Sequence, residues 1–124
     1  MQDYHQLEIW NRAMDYAVKI YEFSAQLPTD ERFNLSSQFR RAAVSVPLNI
    51  AEGSGCSTDN EFARFLGYAY RSLKEVITCV ELSERLHHLP RAAAAPLIDE
   101  GDQIARMTYS FMRRLAPDHR PENW

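Results

Sequence analysis

Apolar residues recur at steps of three and four along four separate stretches of this chain, and each stretch runs into proline, glycine or a cluster of small polar residues. That period predicts helices, and no stretch shows the alternation of a half-buried strand. The first helix is expected from about Gln6 to Gln26, stopping before Leu27-Pro28, where Thr29 and Asp30 offer turn or cap chemistry. The second is expected over Leu35 to Glu52, ending at Gly53-Ser54-Gly55, where glycine can take the left-handed conformation that closes a helix. The third starts at a capping box, Thr58-Asp59-Asn60-Glu61, and runs to His88. At ~1.5 Å per residue it is about 45 Å long and the longest of the set. The fourth begins within Ala92 to Pro96 and closes near Leu115.

Each predicted helix carries a seam. Leu7, Trp10, Met14, Ala17 and Tyr21 form one, and Leu35, Phe39, Ala42, Ala43, Val46 and Ile50 another. Phe62, Leu66, Ala69, Leu73, Val76 and Val80 mark the third helix; Leu97, Ile104, Thr108, Phe111 and Leu115 mark the fourth. Short connections between long helices set sequential neighbours antiparallel. The expected fold is all-α, an antiparallel up-down-up-down four-helix bundle forming a single domain over residues 1–115, with an extended tail over 116–124.

The first helix carries a second apolar line, Ile9, Ala13, Tyr16, Ile20, Phe23 and Leu27, roughly 120° round from the first. With the seam of Trp10, Met14 and Tyr21 turned inward, this second line is surplus to a lone bundle, and apolar surface of that extent marks an interface. It is therefore the candidate contact with another subunit. The alternative is one broad apolar face shared by two neighbouring helices of the same chain. On the remaining face Glu8 precedes Arg12, and Asp15 precedes Lys19, at the spacing of surface ion pairs.

The second helix has an orderly polar line, Gln38, Arg41, Ser45, Asn49 and Glu52, beside its core seam. Pro47 lies inside this helix, where it removes a hydrogen bond and favours a kink. Ser45 and Asn49 are placed to bond freed backbone groups, so the line is expected to be structural, a ligand site being the alternative. Arg41 and Glu52, about three turns apart, are expected to meet other helices or subunits.

Composition narrows the partners. The formal charge of −3 leaves no surplus of cations for non-specific nucleic-acid binding, and Lys19 and Lys74 are the only lysines. No apolar run approaches the roughly 18 residues of a membrane span, and Met1 to Gln6 is polar, unlike a secretory leader. Cys56 and Cys79 are far apart in no CxxC pair, which is expected of reduced thiols in the cytoplasm.

The run Gln38-Phe39-Arg40-Arg41-Ala42-Ala43-Val44-Ser45-Val46-Pro47, followed by Asn49-Ile50-Ala51-Glu52-Gly53, is similar to the signature of the four-helix-bundle proteins named after open reading frames in 23S rRNA intervening sequences. Glu61-Phe62 through Ala69, then Ser72-Leu73 and Glu75, resembles that family's third helix. Leu7-Glu8-Ile9-Trp10 and Ile104 to Leu115 resemble its first and last helices. The resemblance implies a bundle that can assemble into a ring of five. A relative in diversity-generating retroelements accompanies a reverse transcriptase, which adds nucleic-acid or ribonucleoprotein partners to the possibilities that the resemblance carries.

Reactive chemistry is sparse. Gly53 to Ser57 precedes a helix N-terminus but lacks the GxxxxGK[ST] of a P-loop, and Glu52 and Asp59 flank it with negative charge, so it reads as a plain turn. Glu84-Arg85-Leu86-His87 has the ExxH spacing that di-iron bundles use twice, but it occurs once, so no metal site and no cofactor are expected. Arg64, Arg71, Lys74 and Arg85 fall on the outer face of the third helix and form the candidate surface for an acidic partner or a phosphate backbone, with a mixed solvated face as the alternative. The sequence thus points to a non-catalytic, self-associating interaction or scaffold protein, with a nucleic-acid accessory role through the arginine stripe as the second reading.

Overall fold

Four helices occupy most of residues 3–119, which the computed structural model describes, and no strand occurs among these residues. They are α1 (Glu8–Ser24), α2 (Leu35–Ser54), α3 (Asp59–Arg85) and α4 (Arg91–Leu115). Each helix packs on its sequence neighbours and α1 closes on α4, giving the antiparallel four-helix bundle that the short connections require.

The helix ends show which local rules act. Thr58 caps α3, its hydroxyl accepting the Glu61 N–H at 3.1 Å. The second half of the expected capping box is replaced, because the Glu61 carboxylate pairs with Arg64 at 2.9 Å. Gly55 ends α2 with φ −86°, so the glycines here are not needed for a left-handed turn. Gly53 serves proximity instead: a Cβ on it would lie 2.8 Å from Phe62 Cδ1 and 2.9 Å from Phe65 Cβ. α3 ends at Arg85, short of the expected His88, in a Schellman turn. The His88 N–H reaches the Ser83 carbonyl and the His87 N–H that of Glu84, both at 3.0 Å, with His87 at φ 62°. The expected extended tail begins instead with a turn, His119 N–H to Ala116 O at 3.0 Å, on a buried Ala116. Its remainder, residues 120–124, lies outside the described residues.

The seams of α2 and α3 are buried as the period requires, as are Leu97, Ile104 and Thr108 of α4. The rotation of α1 is the opposite of the one expected. Ile9, Ala13, Tyr16, Ile20 and Phe23, the candidate subunit interface, are the chain's own core: Ile20 is 0% accessible and Phe23 packs edge-on to Phe39 at 5.8 Å. Atoms without accessible surface cannot touch a second subunit, so this line is the broad face shared with neighbouring helices of the same chain. The other seam divides: Ala17 is buried and Leu7 and Trp10 pack partly buried against the core, whereas Met14 and Tyr21 turn outward, 41% and 42% exposed. The expected Glu8–Arg12 and Asp15–Lys19 pairs give way accordingly: Lys19 reaches Glu100 on α4 at 2.7 Å, and Arg12 donates to Gln103 at 3.1 Å.

Tyr16 locks that rotation. Its ring is buried, and its hydroxyl donates to the Leu97 carbonyl at 2.8 Å across the α1–α4 seam. The hydroxyl fits because Gly101 faces it without a side chain, and a Cβ there would collide with Tyr16 Oη and sit 3.0 Å from Ile77 Cγ1. Among the described residues no buried side-chain nitrogen or oxygen lacks a partner; Thr108 and Ser83, both fully buried, bond the Ile104 and Cys79 carbonyls of their own helices.

Two outcomes follow from this contact. Gly101→Ala is expected to cost about 1–3 kcal/mol by overpacking and displacement of the tyrosine, read by urea unfolding; an unchanged midpoint would contradict the close approach. Burial, with the Glu100 carboxylate adding, pushes the Tyr16 phenol well above its usual range, so the fold keeps the proton that the unfolded chain releases. The associated stability is complete below pH ~10 and is lost as pH rises beyond it, by up to ~1.4 kcal/mol per pH unit. Tyr16→Phe is expected to flatten that alkaline decline in unfolding measurements between neutral and alkaline pH.

Candidate functional site

The polar line of α2 borders the α2–α3 groove, and its members divide by depth. Ser45 is half-buried, donating to the Ala42 carbonyl at 2.9 Å and bonding the Ser72 hydroxyl of α3. Asn49 donates to the Ser45 carbonyl at 2.7 Å. Both therefore bond backbone near Pro47, though not the Ala43 carbonyl whose i+4 amide the proline lacks, and α2 continues through Pro47 to Ser54. Gln38, Arg41 and Glu52 are exposed, and their side chains make no hydrogen bond or ion pair among the described residues.

The four cations proposed for α3 are all exposed, but they do not form one site. Arg64 lies over the Phe65 ring at 5.2 Å and the Tyr68 ring at 5.8 Å, and Arg71 covers Tyr68 at 5.3 Å. Arg64 is also tied to Glu61, whose carboxylate raises its affinity for the proton. Lys74 turns toward α4, 5.2 Å over the Tyr70 ring and 4.0 Å from Asp102. Arg85 lies ~21 Å along the helix from Arg71 at ~1.5 Å per residue. The Phe65–Tyr68 pair, rings 5.5 Å apart, is the part that charge counting missed, although its i, i+3 spacing places it on the arginine face.

Large apolar side chains outside the bundle form two groups. One lies along α1 and α2. Arg40 Nε donates to the Ser24 hydroxyl at 2.9 Å, and its guanidinium covers the Tyr21 ring at 5.0 Å. Leu48 is 62% and Val18 57% exposed. The second group lines a groove of about 440 Å³ between the start of α2 and the end of α3, formed by Phe33, Leu35, Gln38, Arg41, Leu82 and Leu86. Phe33 is 84% exposed at its rim. A further groove of about 420 Å³ separates the start of α1 from the end of α4, with Leu7, Ile9, Met107 and Phe111 between Arg106 and Arg114.

Groups with potential reactivity are dispersed. The ExxH spacing does not form a pair, because α3 ends at Arg85, His87 sits beyond it in a left-handed turn, and Glu84 pairs with Arg91 at 3.1 Å. His88 binds Glu31 at 2.9 Å, and His5 binds Asp3 at 2.7 Å, which with the His5 amide holds the Asp3 carboxyl below its usual range. Burial, then Glu75, pushes the Cys79 thiol up. Among the described residues no group of three or more His, Cys, Asp or Glu side chains is arranged to hold a metal ion. No described helix is long and apolar enough to cross a membrane.

Comparison with known proteins sets this geometry in context. The profile of the family described as 23S rRNA-intervening sequence protein matches residues 5–110. The 1.70 Å crystal structure of a protein with unknown function from the S23 ribosomal protein family of Bacteroides thetaiotaomicron has the same fold, with a TM-score of 0.79 and 21% identity over 85% of this chain and 98% of that one. A search of curated proteins finds no match.

The left-handed His87 carries a cost that glycine avoids. His87→Gly is expected to raise stability by about 0.5–1 kcal/mol, the relief of the Cβ clash less the added freedom of the unfolded chain. Thermal unfolding checks it, and a lower midpoint would mean that the imidazole contributes to the turn.

Proposed function

This chain belongs to the 23S rRNA-intervening sequence protein family, and from that premise we propose that it is a non-catalytic helical scaffold that works by associating with copies of itself. The observation that carries the reading is the apolar surface left outside a completed core. Met14, Val18 and Tyr21 on α1, Leu48 on α2, and Phe33, Leu82 and Leu86 about the α2–α3 groove are exposed although every helix already has a buried seam. Clusters of this kind on a small domain mark contact surfaces. The dispersal of histidines and thiols supports a role without catalysis, since acid–base and nucleophilic chemistry needs such groups within hydrogen-bond reach of one another. A closed ring, five subunits in the form that the family resemblance suggests, and a cytoplasmic location complete the proposal.

A second reading has its own support in the arginines stacked on Phe65 and Tyr68, since aromatic rings between cations suit single-stranded nucleic acid. It assigns the chain an accessory role on RNA or DNA. Fluorescence anisotropy with labelled single-stranded RNA across a salt series tests it. The reading requires binding that weakens steeply with salt and fails in Arg71→Glu; salt-independent or absent binding removes it.

The scaffold reading is tested by native mass, from light scattering on a sizing column at physiological salt. One closed oligomer of defined mass is expected. A monomer at tens of micromolar would contradict self-association.

A further inference from the structure

We propose that the elbow between α1 and α2 binds a small organic phosphomonoester, its phosphate held by Arg32 and Arg40 and its organic part resting on Phe33. The site adds a ligand to the scaffold reading and does not depend on self-association.

The elbow holds a groove of about 510 Å³, a size typical of small-molecule sites. Its walls are the end of α1, the link that follows and the first turns of α2, and no carboxylate lines it. In a chain of formal charge −3 that is a local reversal of sign. Arg32 and Arg40 both line the groove, and neither forms an ion pair among the described residues. The neighbouring carboxylates belong to other surfaces. Glu22 lines the α1–α4 side with Lys19, Glu31 lines the adjacent groove, where His88 holds it, and Asp30 does not line the elbow.

The polar groups are already in place. Arg40 is half-buried; its Nε donates to the Ser24 hydroxyl at 2.9 Å, and its terminal nitrogens have no hydrogen-bond partner among the described residues. The Ser36 hydroxyl donates to the Ser24 carbonyl at 3.3 Å, so the two helices are tied at the groove itself. Thr29 and Ser37 also line it, with hydroxyls that make no hydrogen bond among the described residues. Guanidinium forks beside free hydroxyls suit the oxygens of a phosphate.

Charge and volume select the ligand class. Two unneutralised guanidiniums match the two charges that a phosphomonoester carries above its second pKa of about 6, whereas a phosphodiester carries one. Leu27, Pro28 and Phe33 give the groove an apolar part that a bare phosphate would leave uncovered, and Phe33 is the side chain there that is left exposed to pack on a ring.

The test is calorimetric titration of the full-length chain with phenyl phosphate, at low salt and about pH 7.5, where the monoester is a dianion. Saturable binding of one molecule per chain is expected, with inorganic phosphate weaker and phenol without effect. Arg32→Gln and Arg40→Lys are each expected to weaken binding by about tenfold, the second because it keeps the charge and loses the fork. Phe33→Ala is expected to reduce phenyl phosphate to the level of inorganic phosphate. Arg41→Gln, in the adjacent groove, is expected to leave the affinity unchanged, and an equal loss there would show general surface attraction and overturn the site. No saturation in the millimolar range, or full affinity in Arg32→Gln, also overturns it. Methyl phenyl phosphate binding as tightly as the monoester overturns the ligand class and assigns the groove to a nucleic-acid backbone. Should Arg40→Lys alter the helical circular dichroism, the exposed Arg32→Gln alone decides.

Discussion

The hydroxyl of Tyr16, anchored to the Leu97 carbonyl in the space that Gly101 leaves open, fixes how α1 sits on the bundle, and much of the remaining architecture depends on that rotation. With Tyr16 inward, Ile9, Ala13, Ile20 and Phe23 lie on the same buried face. Full burial of a side chain such as Ile20 contributes roughly 1.5–3 kcal/mol. The same rotation brings Lys19 to Glu100 and Arg12 to Gln103. It also sends Met14, Val18 and Tyr21 outward, so the surface available for assembly is what the core leaves over.

The helices, their order and the inward faces of α2 and α3 are legible from period, because each carries a single apolar stripe. α1 carries two, and periodicity reports that both exist without saying which the neighbours cover. That choice depends on a tertiary contact, a tyrosine hydroxyl against a glycine 85 positions away in sequence, which no local pattern encodes. Gly53 and Gly101 show the same limit: the sequence suggests a turn at the first and gives no signal at the second, whereas the two permit close approach by Phe62 and Tyr16.

The candidate surfaces divide along similar lines. Exposure of Arg64, Arg71, Lys74 and Arg85 follows from helical phase, but their separation into an aromatic-backed pair, a lysine facing α4 and a distant arginine depends on neighbours that phase does not specify. On α2, Ser45 and Asn49 are consumed by bonds within the bundle, while Arg41 is left at the edge of an apolar groove. Phe33 was not legible as a surface anchor, since a single aromatic in a charged loop carries no period. Its exposure becomes meaningful only beside Leu82 and Leu86, which the fold brings there from α3.

A scaffold whose outer apolar face is covered by another copy gains stability whenever it assembles, since binding to the folded chain alone draws the equilibrium toward it. The most direct test is the thermal unfolding midpoint of the unsubstituted chain across a hundredfold range of protein concentration. The account predicts a midpoint that climbs steadily with concentration. A midpoint that stays fixed over that range would show that folded chains do not cover one another, and would contradict it.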